Sequence, residues 1–335
     1  MAVDRVSLSS DDGGPVLTGL PLPFGCCEDN LGNASWLAAD LDEWITASGV
    51  GLAVASQPRA RASGYALLSC LNYPAASPEL LRLISRYFAF YFECDTSRIE
   101  FPALAGEPAD AAAEILCCSA TIQDPQRPLP TSAGRHVEAL RSITEQLQRF
   151  ATPEQAERAR RGEQNYFVGA ACEAAYLAQG TVPTSAEYQC LREHTVTADW
   201  HLALVEITGG FEVPGDTRWR SDVRAAVRTM GGLLGLINDL ASWRKEARMS
   251  PQALNYPVVI SRELGCTLFE AVCETADRMS AHAQRFSEQT GRLIRKGGTL
   301  GRWAAGARHC VAGWHRWHAR SERFSLDTAD RDRLP

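Results

Sequence analysis

Residues 238–246 read Asn-Asp-Leu-Ala-Ser-Trp-Arg-Lys-Glu, and within them Asn238, Ser242 and Glu246 recur at every fourth position. On a helix that spacing stacks an amide oxygen, a hydroxyl and a carboxylate along one face. Such an all-oxygen set suits Mg2+, a hard cation that keeps waters and a substrate phosphate as its other ligands. Lys245 stands beside the carboxylate, within reach of a phosphate oxygen. The plainer reading of the same spacing is a solvated polar stripe, with Asp239 and Glu246 paired to nearby arginines.

These residues need a helix to position them, and the surrounding sequence supplies one, because GGLLGLI leads into the motif within a helical pattern over 217–248. Further patterns cover about 33–48, 78–95, 137–150, 152–179, 185–209, 251–263, 266–292 and 298–323, with strand-like alternation scarce. Pro78 falls in a first turn, where its missing N–H costs nothing. Pro/Gly-rich breaks lie at 102–108 and 124–134. Residues 1–20 read as a flexible leader, 21–324 as one all-α domain, and 325–335 as a tail.

Composition excludes more than it selects. The 335 residues carry 34 Lys+Arg against 40 Asp+Glu, a net charge of −6, which argues against a coat for nucleic acid or an anionic membrane. No apolar run approaches the length of a membrane span, and the polar N-terminus is unlike a signal peptide, so the expected location is the cytoplasm. The eleven Cys include no Cys-x-x-Cys pair, so they read as small buried hydrophobes rather than zinc ligands. Lys occurs only at 245 and 296, an Arg bias that suggests a GC-rich bacterial genome.

At NDLASWRKE the sequence resembles the second metal-binding motif of class I terpene cyclases of the microbial type. Arg192, 46 residues before Asn238, stands where that family carries its diphosphate-sensing Arg. The segment ACEAAYLAQGTVPTSAEYQCLREHT resembles the family's Glu, Gly-x-x-Pro and Glu-Tyr stretch before that Arg. Asn255 with its Val-Val-Ile run resembles the segment after the metal motif. NYPAASPELLRLIS resembles the lead-in to the first metal-binding helix, and WHARSERF the Trp-x-x-x-Ser/Thr-x-Arg-Tyr ending. The resemblance runs from about residue 20 to 324.

It implies a single-domain class I terpene synthase fold, a helical bundle around a central cavity. The implied reaction is Mg2+-assisted diphosphate loss from an allylic isoprenoid diphosphate, C20 favoured over C15, then cyclisation of the carbocation. Three Mg2+ ions would accompany the diphosphate, and a homodimer is compatible with the family. Lys245, Arg192 and Arg323 would be the charged donors, with Thr195 as linker and Val196 as effector acting through its carbonyl at a helix break. Phe90, Phe167, Trp200, Trp314, Trp317 and Phe324 are candidates for the cavity wall, where π faces stabilise a cation. His315 and His318 read as residues of a solvated C-terminal helix.

Two departures stand out. The family's first motif has adjacent Asp residues, whereas this chain reads FYFECDTSRIE. The aromatic register makes Glu93 the leading ligand; ligand chemistry favours Asp95. The two point about 200° apart on a helix, so both cannot face one metal unless the helix ends between them. Asp95 could also be a surface partner of Arg98. The terminal Arg-Tyr pair is Arg323-Phe324, which keeps the cation and loses the phenol. A non-catalytic isoprenoid-diphosphate-binding protein with a decayed first motif is the alternative function.

Overall fold

The structure, a computed structural model, describes residues 16–50, 58–95, 99, 107–130, 133–249 and 254–321. Arg98, Arg323 and Phe324 lie outside the described residues. So do residues 1–15 of the expected leader, but Leu17 and Leu20 are buried in the core, the first within a 3-10 turn at Val16–Gly19. No strand occurs among the described residues, as the patterning predicts.

The helices are α1 (Ala34–Ser48), α2 (Pro58–Asn72), α3 (Pro78–Cys94), α4 (Pro108–Gln123), α5 (Arg135–Leu147), α6 (Pro153–Gln179) and α7 (Ser185–Thr195). They continue as α8 (Ala198–Gly209), the short α9 (Gly215–Arg218), α10 (Ser221–Met249), α11 (Tyr256–Leu264), α12 (Leu268–Lys296) and α13 (Gly298–His318). α2 and α4 were not among the expected patterns: GYALLSCLN and AAAEILCC follow small or charged stretches that blur the periodicity. None of the described helices is long and apolar enough to cross a membrane.

Local chemistry sets the helix starts around the site. Ser77 accepts from the Leu80 N–H, and Pro78 opens α3. Reciprocal capping boxes, Thr152 with Gln155 and Thr184 with Glu187, start α6 and α7. The expected helix over 185–209 is two helices. Between them Thr197, the one non-glycine at positive φ among the described residues (φ 51°, ψ 44°), turns the chain. A β-branched residue there is strained by about 1–3 kcal/mol, which packing must hold in place.

The packing that holds it is close. A Cβ on Gly169 of α6 would stand 2.5 Å from Thr195 Cγ2, and one on Gly162 would stand 2.7 Å from the Trp200 backbone nitrogen. Bare backbone at these two positions lets α6 lie directly against the end of α7 and the start of α8. α13 packs against α2, α8, α10 and α12, and α10 against α7 and α12. The ring of α3, α6, α7, α8, α10 and α13 surrounds the central cavity.

Only four of the eleven cysteines are buried: Cys70, Cys94, Cys118 and Cys310. The expectation of mostly buried Cys is therefore corrected. The others are at least partly open to water, and Cys172 and Cys190 are exposed.

Candidate active site

The central cavity takes up about 660 Å3 including its open mouth. α3 gives it Phe88, Tyr91, Phe92 and Asp95, spaced i, i+3, i+4, i+7 along one face. α6 adds Tyr166 and Glu173, and α7 adds Arg192 and Thr195. Val196 and Thr197 come from the break, Trp200 and His201 from α8, Asn238 from α10, and Trp314 from α13. Polar and charged groups thus share one concavity with a set of aromatic faces.

Arg192 organises the polar part. Its Nη2 donates to Asn238 Oδ1 at 2.8 Å and lies 2.9 Å from Asp239 Oδ1. Nη1 donates to Thr195 Oγ1 at 3.0 Å and lies 3.9 Å from Glu173 Oε1. Burial opposes the guanidinium charge, but Asp239 and the other acids around it hold its pKa above the ordinary value. Burial pushes Asp239 up to about 6 against the opposing pull of Arg192. Asp239 belongs to this network and is not a member of a solvated stripe.

His318 fixes the amide of Asn238. Its Nδ1 is 2.8 Å from the Trp314 carbonyl oxygen, which can only accept, so Nδ1 carries the proton. Nε2 is then an acceptor and takes a hydrogen bond from Asn238 Nδ2 at 3.1 Å. With nitrogen engaged there, Oδ1 faces Arg192 and the cavity. His318 is 1% exposed, which corrects the expectation of a solvated C-terminal helix; α13 is buried on this side against α10.

Ser242 and Glu246 follow Asn238 on the same face of α10, and both oxygens converge on one donor. Asn255 Nδ2 donates to Ser242 Oγ at 3.2 Å and to Glu246 Oε2 at 2.9 Å, with the Asp239 carbonyl at 3.1 Å. Three oxygens gathered around one NH2 mark a place that favours positive charge, and amide, hydroxyl and carboxylate are Mg2+ ligand types. Ser242 and Glu246 are thus gathered at one point, while Asn238 Oδ1 stands with Arg192, and the donor types of the three suit Mg2+. Among the described residues no cluster of three or more His, Cys, Asp or Glu could hold a metal.

The first-motif residues separate. Asp95, at the C-terminal end of α3, lines the cavity and accepts from the Tyr166 hydroxyl at 2.6 Å. Glu93 is 3% exposed, accepts from the Tyr65 hydroxyl at 2.6 Å, and does not line the cavity. Helix geometry explains this, since two residues turn the side chain to the opposite side.

Of the expected wall residues, Trp200 and Trp314 line the cavity. Phe90, Phe167 and Trp317 do not, which corrects their assignment. Phe90 is fully buried one residue away from Tyr91, the side chain that faces inward. Phe167 packs edge-on against Tyr166 and behind Tyr91. Trp317 donates from Nε1 to the Gly64 carbonyl at 2.7 Å and packs behind Phe92. Lys245 is partly exposed on α10 and is not a lining residue either. The helix break falls where Val196 was placed: the Trp200 N–H, which would serve the Val196 carbonyl in a continuous helix, donates to Thr197 O instead.

Several site residues went unnoticed in sequence. Phe88, Tyr91 and Phe92 were readable from their spacing with Asp95. Tyr166 and His201 carried no local signal, and Glu173 was visible only as the Glu of the ACEAAYLAQG segment. Asn255 was visible only as part of NYPVVI.

Residues 104–285 match the family described as terpene synthase family 2, C-terminal metal binding. The chain belongs to terpene synthase family 2. Among relatives, it is 28% identical over 191 residues to 2-methylisoborneol synthase of Streptomyces ambofaciens, 56% of this chain and 43% of that one. It is 30% identical over 187 residues to (12E)-labda-8(17),12,14-triene synthase of Streptomyces anulatus, 56% of this chain and 58% of that one. Against these two relatives this family member spans about half the partner's length. Labda-7,13(16),14-triene synthase of Streptomyces clavuligerus matches at 28% over 272 residues, 79% of this chain and 77% of that one. The crystal structure of 2-methylisoborneol synthase from Streptomyces coelicolor, in complex with Mg2+ and 2-fluoroneryl diphosphate, superposes with a TM-score of 0.79. It shares 21% identity and covers 92% of this chain and 96% of that one, a likeness of fold.

Proposed function

We propose that the protein is a terpene cyclase that ionises an allylic isoprenoid diphosphate with Mg2+ and closes the resulting carbocation into a hydrocarbon or alcohol. The observation that carries this is the junction of two chemistries in one cavity. Arg192, Asn238 and Asp95 supply cationic and metal-binding groups, and Phe88, Tyr91, Trp200 and Trp314 supply aromatic walls.

Bound Mg2+, in the number the reaction requires, would neutralise charge on the departing diphosphate. Asn238, Ser242 and Glu246 would hold it on α10, and Asp95 is favoured over Glu93 as the carboxylate from α3. Arg192 is held charged and aimed beside Asn238, preorganised for an anion that gains charge as the C–O bond breaks. The aromatic walls exclude water and offer π faces to the cation. Val196, at the break held by Thr197, remains the candidate effector. Chain length C20 is preferred to C15, because the relative matched over 79% of this chain is named for a labdane triene, a C20 skeleton.

The test is incubation with Mg2+ and geranyl, farnesyl or geranylgeranyl diphosphate, scored by mass spectrometry of extracted products. Asn238→Ala and Glu246→Ala should each reduce turnover by at least about 100-fold with the helical circular dichroism unchanged. Asp95→Asn should inactivate far more than Glu93→Gln. Binding of all three diphosphates without turnover by the wild type would leave a non-catalytic binding protein.

A further inference from the structure

His201 has no part in the diphosphate chemistry, yet it lines the cavity with only 2% of its surface exposed. Its ring stands edge-to-face against Trp200 (5.2 Å between centroids) and Trp314 (5.4 Å), with Phe88 at 5.9 Å. Its Nδ1 is 2.7 Å from the hydroxyl of Tyr73. Tyr73 is buried and is not a lining residue, so the ring edge bonded to it points away from the cavity. The opposite edge, with Nε2, is the one presented inward.

Proton placement follows from the surroundings. The Tyr73 hydroxyl also lies against the Cys310 thiol, so it has a second neighbour to which its hydrogen can turn. The walls around Nε2 are aromatic, and an unpartnered N–H is costlier than an unpartnered acceptor. The arrangement that leaves no orphan donor has Nδ1–H donating to the Tyr73 oxygen and a bare Nε2 lone pair in the cavity. Burial holds the ring neutral at ordinary pH by pushing its pKa down to about 3.

We propose that His201 Nε2 is the base that ends the reaction by taking a proton from the cyclised carbocation, with Tyr73 fixing the tautomer. The inference rests on the cyclase reading above. In this step a C–H bond adjacent to the cationic carbon breaks, and its electron pair becomes the π bond of the olefin. The proton goes to Nε2, giving an imidazolium. Burial disfavours that charge, so the proton passes on to the diphosphate anion released in the same turnover. The aromatic rings beside His201 hold the cation close to the nitrogen.

The experiment uses the full-length protein with Mg2+ and either geranylgeranyl or farnesyl diphosphate. Wild type, His201→Phe and Tyr73→Phe are compared for diphosphate release and for product composition. His201→Phe keeps an aromatic ring of similar size and removes the nitrogen. Per mole of diphosphate released, the main olefin should fall at least about tenfold. The replacement products should be double-bond isomers of the same skeleton, or the alcohol from water capture. Tyr73→Phe, which frees the tautomer, should shift the products in the same direction. An unchanged main olefin in both variants overturns the proposal, as does a shift to new ring skeletons only, which would mark His201 as a wall residue. No diphosphate release by the wild type overturns the cyclase reading itself.

Discussion

Glu163 sits at the centre of α6 with 2% of its surface exposed, and the pH dependence of folding should carry its signature. Burial raises its pKa from 4.5 to about 8, partly offset by the Trp200 indole N–H, which donates to Oε1 at 3.2 Å, and by the neighbouring Tyr87 hydroxyl. The unfolded chain loses this proton near pH 4.5, whereas the folded protein keeps it to about pH 8. Between those values the unfolded state binds fewer protons, so stability falls as pH rises. The contribution is fully present below pH 4.5 and gone above about pH 8. At about 1.36 kcal/mol per pKa unit the whole window is worth at most on the order of 5 kcal/mol, and about 3 kcal/mol of it falls between pH 5.5 and 8. Glu163→Gln keeps the shape and the acceptor for Trp200 but cannot ionise. Urea unfolding followed by circular dichroism, at pH steps from 5.5 to 8.5, should show wild type losing about 3 kcal/mol relative to the variant, with other titrating groups cancelling in the difference. Parallel curves for the two proteins would refute a neutral buried Glu163.

Gly162→Ala should destabilise the fold by about 1–3 kcal/mol, read as a lower urea midpoint. The added Cβ would meet Trp200 backbone atoms at 2.7 and 2.9 Å, which cannot rotate aside, so α6 and α8 must separate. His318→Phe should raise the Mg2+ concentration for half-maximal turnover about 10–100-fold, because Asn238 loses the acceptor that orients its amide. Saturating Mg2+ should restore most of the rate; an unchanged Mg2+ dependence would mean Asn238 is oriented by Arg192 alone.

What the sequence disclosed follows from how local each feature is. Asn238, Ser242 and Glu246 lie on one uninterrupted helix, so their spacing alone put them on one face. The arginine 46 residues upstream was found by resemblance, and the structure joins it to Asn238 across α7 and α10. The break at Thr197 left no local mark, because its positive φ is imposed by α6 lying against Thr195 and Trp200 through Gly169 and Gly162. His201 and His318 were unreadable for a related reason: a histidine's role depends on which carbonyl, hydroxyl or amide another helix brings to its ring.

The wall of α3 shows the same limit most sharply. Each residue turns the side chain about 100°, so a helix with aromatics at 87, 88, 90, 91 and 92 offers more than one apolar face. Choosing Phe90 as a wall residue entails Glu93, three positions on, as its charged companion. Choosing Phe88 and Tyr91 entails Asp95, at i+7 and i+4. The two alternatives for the first motif and the choice of wall residue are therefore one question of helix rotation. What flanks α3 fixes which side chain reaches the cavity: the Tyr65 hydroxyl of α2 takes up Glu93, and the Tyr166 hydroxyl of α6 takes up Asp95 at the cavity's edge. Any first-motif metal would thus meet one carboxylate on this helix instead of a pair, with the Tyr166 phenol already bonded to it. Arg192, together with any Mg2+ held by the α10 set, would then supply most of the positive charge that holds a diphosphate.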